Sequence, residues 1–301
     1  MRKRMLCALT ALFLLIPCVS LAESLPPEGA APYAPVESAL SGDGMSYDDG
    51  TMSVKITTDV VQETKIYWVE VKISDPSQLR TAVAGAKGTK AAAQPLTMAK
   101  RNNAVLAING DFYAGHNSGV VYRMGELLRN VPVYSRDELM IDANGDLTIL
   151  DVKPGTSSGK IAEGIEAYMA EHEIRHAFCF GPGLIKDGER LEFDYREKVS
   201  CGYPTRAQRM IIAQTGELQY LFLATEGPEQ DEPGLTVPEC VDLLMERGDV
   251  ITAYNLDGGN STHIILCGEK INAKEFPKSR DIADIIYFAT LVPSEGTAEE
   301  P

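Results

Sequence analysis

The apolar positions of this chain change period along its length, and each change marks an element. Met52–Thr58 and Lys65–Ser74 read as strands, the second carrying Ile66, Trp68, Val69, Val71 and Ile73. After a Gly/Ala/Lys-rich loop at Gly85–Ala93, the spacing predicts a short helix over Pro95–Arg101 and a buried strand over Asn103–Ile108. Glu138–Asp142 and Asp146–Asp151 flank Asn144-Gly145, a strong hairpin signal. Gly159–Glu173 reads as a helix. Met210–Ala213 pairs with Leu218–Ala224 through the turn Gln214-Thr215-Gly216. Thr236-Val-Pro-Glu239 forms a capping box with Pro near the helix start, and the helix Val237–Arg247 stops at Gly248. Strands at Val250–Tyr254 and near Ile282–Thr290, with a hairpin through Gly268-Glu269 between them, complete the pattern. The expected class is α+β: a single domain over 47–293, with a mixed, largely antiparallel sheet covered by a few helices.

Two of these strands run directly into polar clusters. Asn103–Ile108 delivers Asn109-Gly110-Asp111-Phe112-Tyr113, and Val250–Tyr254 delivers Asn255-Leu256-Asp257-Gly258-Gly259-Asn260-Ser261-Thr262. Adjacent glycines permit positive φ and leave backbone N–H groups uncovered, which suits an anion. Asn-Gly and Gly-Gly are also ordinary turn signals, so a purely structural reading stays open. Carboxylates and aromatics at strand ends are, however, where sites are often built.

Composition narrows the classes. The chain has 301 residues, 44% hydrophobic and 24% charged, as a globular protein does. Met1–Ala22 has the pattern of a secretory signal: basic Arg2, Lys3 and Arg4, an apolar run from Met5 to Pro17, and Ser20 and Ala22 before a cut at Glu23. A secreted or cell-surface location is therefore expected. Residues 23–46, rich in Pro, Ala, Gly and Ser, read as a flexible linker, and 294–301 as an acidic tail. Loss of the leader takes the formal net charge from −15 to −18, which repels nucleic acid and anionic membrane surfaces. Neither is an expected partner. Cys179, Cys201, Cys240 and Cys267 remain, without Cys-x-x-Cys spacing and with only four histidines in the chain, so a structural zinc site is not expected.

In order along the chain stand Asn109-Gly110-Asp111-Phe112-Tyr113, then Gly181-Pro182-x-Leu184-Ile185-x-x-Gly188. Arg209 follows, opening a strand that ends at Gln214, then Gly234-Leu235-Thr236 and Asn255-Leu256-Asp257-Gly258-Gly259-x-Ser261-Thr262. This order resembles the phosphodiester glycosidase family over roughly 65–290. Each motif alone is weak, whereas five in register are fairly specific. Glu226 stands where that family usually has Asp before Gly, Asn260 replaces a frequent third glycine, and His263 follows Ser261-Thr262. These departures bear on sugar specificity more than on fold.

The resemblance implies a secreted hydrolase acting on a sugar-1-phosphodiester, of cell-wall or exopolysaccharide type. Such an enzyme stabilises an oxocarbenium-like centre, a task for carboxylates, and meets a departing phosphate, a task for Arg or N–H groups. Asp111, Asp257 and Glu226 are the candidates for the first task. Arg209 and the Gly258 and Gly259 amides are candidates for the second. Asn109, Gly110, Asn255, Ser261 and Thr262 are expected to position substrate. Asp111 and Asp257 as turn caps, and Arg209 as a structural partner, remain the alternatives. No cofactor is implied with certainty, although the oxygens of Asp257-Gly258-Gly259-Asn260 are of the kind that holds Ca²⁺. A non-catalytic carbohydrate-binding module on the same fold, or a metal-dependent phosphodiesterase, are the rival functions.

Overall fold

A computed structural model describes residues 32–133, 136–151, 156–192, 204–273 and 280–293. Among them are three α-helices: α1 (Pro95–Arg101), α2 (Ser158–Glu171) and α3 (Val237–Arg247). The strands form one eight-stranded and two five-stranded sheets, and every pairing between strands is antiparallel. The class is α+β, with the strands divided among three sheets.

The reason lies in the burial of both faces. In the strand Met210–Gly216, Ile212 points into a central core while Ile211 and Ala213 point to the other side, beneath Leu235, Cys240 and Leu244 at and beside α3. The second five-stranded sheet turns Leu106, Ile108, Ile286 and Phe288 to the same central core, and packs Ala107, Ile285 and Tyr287 against Met98 and Ala99 of α1. In the third, Leu139, Ile141 and Phe178 face inward, while Met140 and Ala177 meet Ile161 and Ile165 of α2. Each sheet thus has one face in the shared core and one face under its own helix. Strands buried on both sides read as continuous apolar runs.

The leader at 1–22 and the tail at 294–301 lie outside the described residues. Of the stretch read as a linker, 32–46 is described, and it packs onto the domain. Val36, Ala39, Leu40 and Met45 rest on the central core, and the Val36 N–H donates to the Tyr47 hydroxyl at 3.1 Å. A few apolar anchors in a Pro- and Ala-rich segment suffice to hold it.

The strand Leu106–Asn109 lies between Ile264–Leu266 and Asp284–Phe288, with Asn109 opposite Ile285. Thr252–Asn255 lies in the large sheet between Met210–Gly216 and Gly183–Lys186. The two polar clusters are therefore carried on neighbouring ends of two sheets that share one core.

Candidate active site

Asn109 ties the two strand ends together. Its Nδ2 donates to the Asp257 carbonyl at 2.7 Å, and its Oδ1 accepts from the His263 N–H at 3.1 Å. Beside it opens a cleft of about 240 Å³ whose lining includes Asn109, Gly110, Asp111, Asp257, Ser261 and Asp284. Asp111 and Asp257, 146 positions apart in the chain, face the same space.

Asp111 is held on both oxygens. Oδ1 accepts from Arg123 Nη2 at 2.8 Å and from the Tyr113 N–H at 3.1 Å, and Oδ2 accepts from the Cys179 N–H at 2.8 Å. Arg123, itself buried, also donates to Asp284 Oδ2 from Nε at 2.8 Å and from Nη2 at 2.6 Å. Its Nη1 donates to the carbonyls of Tyr122 and Ala177. Asp284 opposes Gly110, and a Cβ at position 110 would overlap its carboxylate, so glycine there leaves the space that the Arg123-bound carboxylate fills.

Asp257 is the less constrained carboxylate. Burial pushes its pKa up to about 6, against the lowering influence of Ser261, Arg280 and its own bond from the Gly258 N–H at 2.9 Å. Burial likewise raises the Asp284 carboxyl above the usual carboxylate range, opposed by Arg123 and reinforced by the charges of Asp111 and Asp257. The side-chain oxygens Asp284 Oδ1, Thr262 Oγ1 and Asn255 Oδ1 are buried without a hydrogen-bond partner among the described residues. Asn255 uses its Nδ2 to grip the Gly181 carbonyl at 2.9 Å.

The remaining expected residues are not in the described lining of this cleft. The Gly258 and Gly259 amides, expected to receive an anion, are occupied by Asp257 Oδ1 and by the Gln208 carbonyl at 3.0 Å. The Arg209 guanidinium donates from Nε to the Leu235 carbonyl at 3.0 Å and from Nη2 to the Thr205 carbonyl. Glu226 Oε1 accepts from the Tyr67 hydroxyl and the Ala273 N–H, both at 2.7 Å. No cluster of three or more His, Cys, Asp or Glu side chains able to hold a metal ion occurs among the described residues. The sequence reading passed over Arg123, Asp284 and Arg280. The first two leave only a charged residue at the end of the apolar run Val120-Val-Tyr-Arg123 and another at the start of Asp284-Ile-Ile-Tyr-Phe288, a trace that any solvated strand terminus also shows.

The sequence profile of the phosphodiester glycosidases matches residues 102–289, a span that holds all of this cleft's described lining except Lys90 and Ala92. The chain belongs to the phosphodiester glycosidase family. Its fold is similar to that of the zebrafish N-acetylglucosamine-1-phosphodiester α-N-acetylglucosaminidase catalytic domain, a structure described as auto-inhibited by its pro-peptide. The TM-score is 0.63 at 16% identity, over 81% of this chain and 85% of that one. A hypothetical protein from Synechocystis is similar over 79% of this chain and 62% of its own, with a TM-score of 0.55 and 16% identity. No curated protein matches the sequence. At 16% identity these likenesses describe the fold, while the family rests on the sequence match.

Proposed function

We propose that this phosphodiester glycosidase is an exported hydrolase. It cleaves the bond between the anomeric carbon of a sugar and a phosphodiester oxygen, in a cell-wall or exopolysaccharide type of substrate. The observation that carries the reading is the shared cleft of Asp111 and Asp257, one carboxylate locked by Arg123 and the other free to change protonation near neutral pH. Export is supported by the leader pattern at 1–22.

The departing phosphate monoester is a stable anion, so the chief demand is stabilisation of positive charge at the anomeric carbon and activation of water. Asp257, ionised above its pKa of about 6, faces that centre and takes the proton of the attacking water. Asp111, fixed by three donors, supplies a preorganised negative charge and holds the loop that carries it. Ser261 lies in the same lining, where its hydroxyl favours the ionised form of Asp257. Incubation with a panel of sugar-1-phosphodiesters, with and without chelator, tests the reading through its products. Free sugar plus a phosphate monoester is expected. Sugar phosphate and chelator sensitivity would mark a metal-dependent phosphodiesterase instead. Tight binding with no turnover would mark a carbohydrate-binding module.

A further inference from the structure

The described lining of the cleft holds Asp111, Asp257, Asp281 and Asp284 but only two cations, Lys90 and Arg280. A phosphodiester is an anion, so a cleft of this composition repels it unless a cation meets the phosphate directly. The buried Arg123 and Arg209 and the half-buried Arg129 are engaged elsewhere. Arg123 donates to Asp111, Asp284 and two carbonyls, Arg129 donates to the carbonyls of Tyr113 and His116, and Arg209 donates to those of Leu235 and Thr205.

Arg280 is placed differently. It is exposed, its guanidinium carbon stands 4.6 Å from the centre of the Phe112 ring, and its charge reaches Asp257. Phe112, itself 37% exposed, packs against Gly115, where a Cβ would overlap the ring. Glycine at 115 thus leaves the ring room to lie at the cleft. A guanidinium over an aromatic face is oriented by the ring and keeps its planar fork of N–H donors for an oxyanion.

We propose that Arg280, held over Phe112 and aided by Lys90, is the side chain that contacts the phosphodiester group and selects phosphate-linked over neutral glycosides. This rests on the hydrolase reading above for its substrate, but the anion site can be measured apart from turnover. Lys90 is the weaker partner, because an ammonium is a point charge without the planar fork.

The test compares the wild type with Arg280→Met and Phe112→Leu. First, kcat/KM is measured for a sugar-1-phosphodiester and for the neutral aryl glycoside of the same sugar. Second, inorganic phosphate is titrated calorimetrically into each protein. In Arg280→Met the phosphodiester kcat/KM is expected to fall about tenfold more than the aryl glycoside value, and phosphate affinity to fall by about the same factor. Phe112→Leu should show a smaller loss in the same direction, and thermal stability should be preserved in both. Equal losses on the two substrates, or phosphate binding that is absent in the wild type or unchanged in Arg280→Met, would overturn the proposal. A wild type that turns over no phosphodiester, yet binds phosphate through Arg280, would remove the hydrolase reading and leave the anion site standing.

Discussion

Arg123 and Asp284 form a buried, two-point ion pair: Nε and Nη2 of one guanidinium converge on a single carboxylate oxygen at 2.8 and 2.6 Å. The same Nη2 reaches Asp111 Oδ1 at 2.8 Å. One buried cation therefore fixes two acids drawn from different elements, the loop after Leu106–Asn109 and the start of Asp284–Phe288. The second of those acids keeps an oxygen, Oδ1, without a partner among the described residues.

Replacing Arg123 by Met is expected to cost about 3–5 kcal/mol, because two buried carboxylates lose their cation. The loss should shrink at low pH. In the variant the Asp284 carboxyl, raised by burial and no longer opposed by Arg123, holds its proton in the folded state more tightly than in the unfolded chain, so stability falls as pH rises above the unfolded pKa. Urea unfolding at pH 5 and pH 8 measures the difference. Equal losses at the two values would contradict the charge account.

Asp257→Asn should raise stability at neutral pH while removing activity. A carboxyl with a folded pKa of about 6 takes up a proton on folding, and that contribution is lost as pH rises from about 4 toward 6. The neutral amide avoids the penalty, for a gain of about 1–2 kcal/mol at pH 7 after allowance for partial solvent contact. In the wild type, kcat/KM should rise through about pH 6 as Asp257 ionises. Thermal melts and a pH–rate profile, run on both proteins, check the two halves separately.

The glycines of the two motifs should respond unequally. Gly110→Ala drives a methyl group into the Asp284 carboxylate and is expected to cost about 2–3 kcal/mol along with activity. Gly259 has φ of 59° and nothing within 4 Å of a built Cβ, so Gly259→Ala should cost about 1 kcal/mol, the strain of the left-handed backbone alone. Equilibrium unfolding of the two variants ranks them.

How far the site was legible follows from where its residues sit. Asn109–Tyr113 and Asn255–Thr262 could be read because each interrupts an apolar strand with several polar residues at once, and a strand end is a place a local pattern can name. Arg123 and Asp284 could not, because each is a single charge at the edge of an apolar run, indistinguishable from a solvated strand terminus. Their meaning depends on the register that sets Ile285 against Asn109 and brings Asp284 beside Gly110. That register is a long-range fact, absent from any window of sequence. The helices and hairpins were readable from caps and turns, as at Thr236–Glu239. The division of strands among three sheets was not, since a strand buried on both faces reads the same in any sheet.

For Arg209 the structure shifts the expectation from rate to stability. Its guanidinium satisfies backbone carbonyls at Leu235 and Thr205, next to the start of α3. Arg209→Lys should lower stability by about 1–2 kcal/mol as those donors are lost, while kcat of the folded enzyme changes less than twofold. Turnover and melting temperature taken on one preparation separate the roles. A large fall in kcat with an unchanged melting point would return Arg209 to the phosphate.

The central claim is that the bond broken lies between the anomeric carbon and oxygen, and hydrolysis of a sugar-1-phosphodiester in ¹⁸O-labelled water tests it most directly. The account predicts that the label appears in the released sugar at C1 and not in the phosphate monoester, with Asp257→Asn abolishing both products. Label in the phosphate, with sugar 1-phosphate among the products, would show attack at phosphorus and contradict the account.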